Sequence, residues 1–263
     1  MTLNWLKSYD IEHVLSERWK YCEKYIQETV KEYTKQIQSF KPRKIVFGGF
    51  DEREEYYFSI NGVHFPCEEF TIDPSSKWYT HKHNCNGLVS SYLITVYLAW
   101  QKQHNIKTLF NNHSFQGYEF AMALQRPEIV QVNGGFPASK HDITIFRWGK
   151  KSEKDKWDSK ALYFQVPKGK KGIGDSGYAG EPSKVAITRP DQTKAFKKFQ
   201  SRAKSRQEVF HSRLKRFNNL KYKFRHGKKG RAQAKIDLHK SVVESVAVLI
   251  QYDYDNGNPP FSM

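Results

Sequence analysis

Apolar and polar positions follow two different periods along the chain. Over residues 10–38, Ile11, Val14, Leu15, Trp19, Cys22, Tyr25 and Ile26 recur mostly every three or four positions in a polar background. That is the helical period, and it predicts one or two amphipathic helices. Lys41-Pro42-Arg43 ends them and Gly48-Gly49 marks a turn. From residue 56 the pattern turns to that of strands. YYFSINGVHF (56–65) is dense in aromatic and branched side chains. Residues 88–100 and 129–132 (IVQV) read as a second and a third strand, the third stopped by Asn133-Gly134-Gly135.

A short helix over 141–148 follows. Next comes a strand over 171–174, leading into Gly174-Asp175-Ser176-Gly177-Tyr178, then another over 185–188 closed by Pro190. A long helix is predicted over 193–220, where Phe196, Phe199, Ala203, Phe210, Leu214 and Phe217 form a buried stripe. A last helix spans 238–252. Residues 101–127 are long for a connection and read as an insertion or extra helix. This order of elements is that of the ribonuclease-H-like α/β fold: a mixed sheet flanked by helices, with a helical N-terminal segment (1–45) ahead of a domain over 46–263.

Composition narrows the class. Of 263 residues, 38% are hydrophobic, yet aromatics reach 15%, which excludes wholesale disorder. The longest apolar stretch, 89–100, is too short and too interrupted by serine for the roughly 20 residues of a membrane span. The first residues lack the basic-then-apolar layout of a secretory signal. Three well-separated cysteines, Cys22, Cys67 and Cys85, imply no disulfide framework and fit a reducing compartment. The expectation is a soluble intracellular protein with no membrane partner.

Charge adds a location. The formal net charge is +17, from 44 Lys+Arg against 27 Asp+Glu. Residues 150–240 hold 27 of those basic residues and only 8 acidic ones, so the remainder of the chain is close to neutral. A solvated ion-paired surface mixes signs; this segment points to a polyanion, nucleic acid before acidic lipid.

On an α/β sheet, ligands gather at strand ends. Asn61 is central in the first strand, Asp175 ends the strand after the short helix, and Glu208 lies on the long helix. At about 100° per residue, Glu208 falls about 150° from the phenylalanine stripe. Its face then holds Lys197, Ser201, Lys204, Ser205, His211, Ser212 and Lys215. One carboxylate in a basic face is either an ion-pair partner for lysines or a metal-binding acid facing a cleft.

Six blocks, in order, resemble the endonuclease domain of PIF/Harbinger-type DDE transposases. They are SINGVHFPCEEF, WYTHKHNCNGL, NGGFPASKHDITIF, GIGDSGYAGEP, RAKSRQEVFHSRLKRFNNL and SVVESVAVLIQYDYDNGNPPF. The resemblance implies metal-dependent DNA strand cleavage or transfer in the nucleus, with Asn61, Asp175 and Glu208 at the three acid positions. Asp142 is the rival for the second, its alternative role being to cap the short helix. It also implies divalent Mg²⁺ or Mn²⁺, since two ions roughly 3.5–4 Å apart organise attacking and leaving oxygens at a phosphodiester. Target choice is then expected from a separate DNA-binding partner protein or a homo-oligomer.

The expected phosphate contacts are Lys197, Lys204, Arg206, Lys215 and Arg216 on the long helix, and Lys221, Lys223, Arg225, Lys228 and Lys229 after it. The departure from the pattern is Asn61, which stands where the family carries Asp. An amide is uncharged and does not bridge two cations as a carboxylate does, so the expected activity is impaired, the alternative being a catalytically inactive DNA-binding protein. His81-Lys82-His83-Asn84-Cys85 lacks the fourth ligand of a structural zinc site. Lys168-Gly169-Lys170-Lys171-Gly172 lacks the spacing of a nucleotide-binding loop.

Overall fold

The computed structural model describes residues 1–68, 114–225 and 232–261. Four helices lead: α1 (Thr2–Ser8), α2 (Glu12–Trp19), α3 (Glu23–Ser39) and α4 (Lys41–Lys44). The apolar period over residues 10–38 thus resolves into two helices. They are parted at Lys20, whose left-handed backbone (φ 57°) returns its amide to the Ser16 carbonyl. Pro42 begins a helical turn rather than ending one, because a first-turn amide has no partner to lose.

Five strands follow, β1 (Tyr56–Cys67), β2 (Ser114–Ala123), β3 (Ile129–Pro137), β4 (Lys171–Ile173) and β5 (Val185–Ala186). Between β3 and β4 lie α5 (Asp142–Arg147) and α6 (Leu162–Gln165). After β5 come α7 (Lys194–Leu214), α8 (Asn218–Lys221) and α9 (Ala232–Asp255). The sheet runs β3-β2-β1-β4-β5. The β1–β2 and β2–β3 pairs are antiparallel, while β1–β4 and β4–β5 are parallel. The chain is therefore α/β with a mixed sheet flanked by helices.

Three expectations need correction. Residues 114–123, assigned to an insertion, form β2 at the heart of the sheet, paired to both β1 and β3. Both faces of β2 are buried and Gln116 and Glu119 lie inside, so no apolar–polar alternation advertised a strand. Asn133-Gly134-Gly135 is not a turn; β3 runs through it with a register shift, and Gly135 takes φ +87°. The long helix stops at Leu214, with α8 a separate turn. The strand expected over 88–100, the His81–Cys85 cluster and residues 101–113 lie outside the described residues.

Alternation along β1 and β2 sorts the core. Val63, Phe65, Tyr118, Phe120 and Met122 pack with Phe210 and Leu214 of α7 and Val242 and Val246 of α9. Phe58, Ile60, Ala121 and Ala123 pack with Phe146 of α5, Leu162 of α6 and Tyr178. The first cluster also takes in Trp5, Leu6, Leu15 and Ile26, so the N-terminal helices share a core with the domain and residue 45 does not divide two cores. Among the described residues, no helix is long and apolar enough to cross a membrane.

Candidate functional site

The site forms where α7 crosses β1. Three consecutive helix residues dock there, each in a different way. Arg206, 1% exposed, sends its guanidinium to the carbonyls of Leu124 (2.9 Å) and Arg126 (2.6 Å) at the end of β2. Gln207 accepts from the Ser59 hydroxyl at 2.9 Å and donates to the Phe120 carbonyl at 3.1 Å. These bonds fix both the rotation and the height of α7 on the sheet. Glu208 is thereby held over β1, where the Asn61 side-chain amide donates to its Oε1 at 3.2 Å. Two residues 147 positions apart in sequence thus meet at this crossing.

The side chain of Glu208 remains 68% exposed, with the His211 Nδ1 3.9 Å from Oε2. His211 itself is buried, edge-on to Phe120, and not on the solvated face assigned to it by the helical wheel. Lys204 and Lys197, on the Glu208 side of the helix, reach the Thr188 hydroxyl (2.9 Å) and the Pro190 carbonyl (2.6 Å).

Asp175 follows β4, and Gly174 continues the ladder by donating to the Ala186 carbonyl. The Asp175 backbone is still extended (φ −87°, ψ −173°). Ile173, two residues earlier, packs with Ala203 of α7. The Asp175 carboxylate accepts from the Gly177 amide at 2.8 Å and so caps the turn Ser176–Tyr178.

Asp142 lies on the side of the sheet away from the Asn61 side chain. It is the first residue of α5, 6% exposed, and His141 rather than Asp142 is the cap residue. Its carboxylate lies over Gly62, where any Cβ would collide with Oδ1. Gly62 and Asn61 are neighbours on β1 and so face opposite ways. A Cβ on Gly177 would be 2.9 Å from Asp142 Oδ2 and 2.9 Å from Asp175 Oδ1, so both acids flank that one glycine.

One acid escaped the sequence reading. Glu119 on β2 is 1% exposed and pairs in register with Gly62, so it points to the Asp142 side. Its Oε2 accepts from the Tyr178 hydroxyl at 3.4 Å. Burial, and then Asp142, push its carboxyl well above the usual carboxylate range. The signal available in sequence was a lone Glu amid FQGYEFAMA.

The residues present do not make a two-metal centre. Asn61 brings no charge, and its amide hydrogen occupies an oxygen of Glu208. Among the described residues, no three His, Cys, Asp or Glu side chains converge as a cation site.

The expected phosphate contacts sort by exposure. Lys215, Arg216, Lys221 and Arg225 are exposed, and Lys197, Lys204 and Lys223 half-buried. Arg206 is a correction: it is interior, because it falls three residues from Ala203 and four from Phe210 on the apolar stripe. Lys228 and Lys229 lie outside the described residues. Phe224 is fully buried and pairs with the end of β1, its amide donating to the Pro66 carbonyl at 3.0 Å. That staple holds Lys223 and Arg225 against the body. Comparison with known protein families, curated proteins and solved structures finds no match to this chain.

Proposed function

We propose that this chain is a ribonuclease-H-like, DDE-transposase-type DNA-handling domain whose strand-cleavage centre is impaired by Asn61. The observation that carries the reading is the Asn61–Glu208 hydrogen bond, which brings two of the three expected positions together on the sheet. The strand order β3-β2-β1-β4-β5 and the place of Asp175 just after β4, which runs parallel beside β1, support it.

The same bond explains the impairment. Two carboxylates at that separation repel and need a cation between them. An amide and a carboxylate satisfy each other without one. The chain then keeps a basic surface able to neutralise phosphates, with Lys215, Arg216, Lys221 and Arg225 exposed, and lacks the charge to hold Mg²⁺ or Mn²⁺. Nuclear DNA, with target choice supplied by a partner protein or a second copy, is the corresponding setting.

The test is a plasmid-nicking assay with and without Mn²⁺. The native chain should bind DNA in EDTA and nick on the order of 10²-fold more slowly than the Asn61→Asp variant with Mn²⁺, the size of effect of misplacing a reacting centre. Robust metal-dependent nicking by the native chain would refute the impairment. An inert Asn61→Asp variant would refute the cleavage centre itself.

A further inference from the structure

We propose that Glu119 is a positioning residue for Asp175, holding through the Tyr178 hydroxyl the turn that orients that carboxylate. The inference rests on the reading of Asp175 as a site residue, and deepens it.

The connection is continuous in space. Asp175 is oriented by the Gly177 amide, which donates to Oδ1 at 2.8 Å. Gly177 belongs to a three-residue turn that ends at Tyr178. The Tyr178 ring is fully buried, edge-on to Phe146 at 6.0 Å and 89°, and its hydroxyl reaches Glu119 Oε2. Glu119 sits on the interior strand β2, braced on both sides in register by Gly62 and Asn133. The side of the turn facing α5 is closed by Asp142, whose Oδ2 approaches the position of a Gly177 Cβ. The turn is therefore fixed at one end to the middle of the sheet and along its flank to α5.

The choice of residue argues for a role beyond packing. Glu119 Oε1 is buried with no hydrogen-bond partner, so this acid lowers stability relative to an apolar side chain of its size. A costly polar group kept next to a candidate site is the usual mark of a positional task. Gly62 completes the arrangement, because only the missing side chain opposite Glu119 leaves space for the Asp142 carboxylate.

The test uses Glu119→Leu, Tyr178→Phe and Glu119→Gln, each in the native chain and alongside Asn61→Asp. The readouts are the exchange rate of the Gly177 amide by NMR, the thermal midpoint, and Mn²⁺-dependent nicking in the Asn61→Asp background. Glu119→Leu and Tyr178→Phe should speed Gly177 exchange about tenfold, the protection of one hydrogen bond. Nicking should fall on the order of 10²-fold, as for a catalytic group displaced by about 1 Å. The thermal midpoint of Glu119→Leu should hold or rise, and Glu119→Gln, which keeps a neutral acceptor of the same size, should preserve slow Gly177 exchange. Gly177 exchange at the parent rate in both Glu119→Leu and Tyr178→Phe overturns the proposal. So does a loss of Gly177 protection matched by the amides of β2 and β3. If Asn61→Asp itself does not nick, the cleavage reading falls while Gly177 exchange still decides this inference.

Discussion

Arg206 and Lys215 lie nine positions apart on one basic stretch of helix and its end, and they do opposite things. The Arg206 guanidinium is inside, spent on two carbonyls, and burial holds its pKa below the usual arginine value. Lys215 is outside, following the last turn of α7. Arg206→Ala should therefore lower folding stability by about 2–3 kcal/mol, the worth of charge-assisted bonds lost in an interior. It should leave the salt dependence of DNA binding by the folded protein unchanged. Lys215→Ala and Lys221→Ala should each leave stability within about 0.5 kcal/mol. Each should reduce the slope of log affinity against log salt by about 1. Thermal melts paired with anisotropy titrations over a KCl series would show it, and a flattened slope for Arg206→Ala would contradict the assignment. Sequence could have warned of this, since Arg206 falls on the stripe set by Ala203 and Phe210; the count of basic residues concealed it. Asn61 and Glu208 were joined in sequence only through the resemblance, since strand and helix periods alone left Glu208 open between an ion-pair partner and a metal-binding acid. Glu119 was not legible, because its meaning depends on a cross-strand neighbour without a side chain.

At the scale of elements, the chain shows how its N-terminal helices are attached. Lys41 of α4 donates to Glu244 of α9 at 2.6 Å and to the Val132 carbonyl of β3 at 2.9 Å. Gln38 of α3 adds a bond to the other Glu244 oxygen at 2.6 Å. Only 5% of the Glu244 side chain is exposed, against 27% for Lys41. Three elements thus converge on one interior carboxylate. Lys41→Met should cost about 3 kcal/mol by leaving that charge uncompensated, and the double variant Lys41→Met/Glu244→Leu should recover most of the loss. A urea-denaturation double-mutant cycle would measure it; an additive cycle would show that the pair contributes no coupling. The longer helices α2, α3, α7 and α9 were legible from period and punctuation, while the short α4, α6 and α8 were not; α7 is capped by Thr193, which accepts from the Phe196 amide. β2 was not legible, for a physical reason. A strand buried on both faces beside a polar site has neither alternation nor an unbroken apolar run. Asn133-Gly134-Gly135 misled in the other direction, since glycine serves a bulge and a close approach to the Tyr118 ring as well as a turn.

For the whole molecule, two interior groups on opposite sides of the sheet give stability opposing dependences on pH. His239 of α9 is fully buried, with Nδ1 2.8 Å from the Tyr118 hydroxyl, and burial pushes its pKa down to about 3. Unfolded, it titrates near 6.5. Between those values the unfolded chain binds the extra proton, so stability falls as pH drops from about 6.5 toward 3. Glu119 behaves oppositely. Its folded pKa lies well above the ordinary 4.5, so the folded chain keeps a proton that the unfolded chain releases. That contribution is fully present below pH 4.5 and is lost as pH rises through its folded pKa. Each slope approaches about 1.4 kcal/mol per pH unit where its group alone is titrating. From these two groups, stability should decline below pH 4.5 through His239, where Glu119 is protonated in both states, and above pH 4.5 the Glu119 slope should oppose that of His239. His239→Gln should flatten the acid limb, and Glu119→Gln should remove the opposing slope above pH 4.5. Urea midpoints across pH 4 to 8 for the native chain and both variants would decide it. An acid limb that survives His239→Gln would assign that limb instead to mutual repulsion in a chain already at +17, as its 27 acidic residues are neutralised.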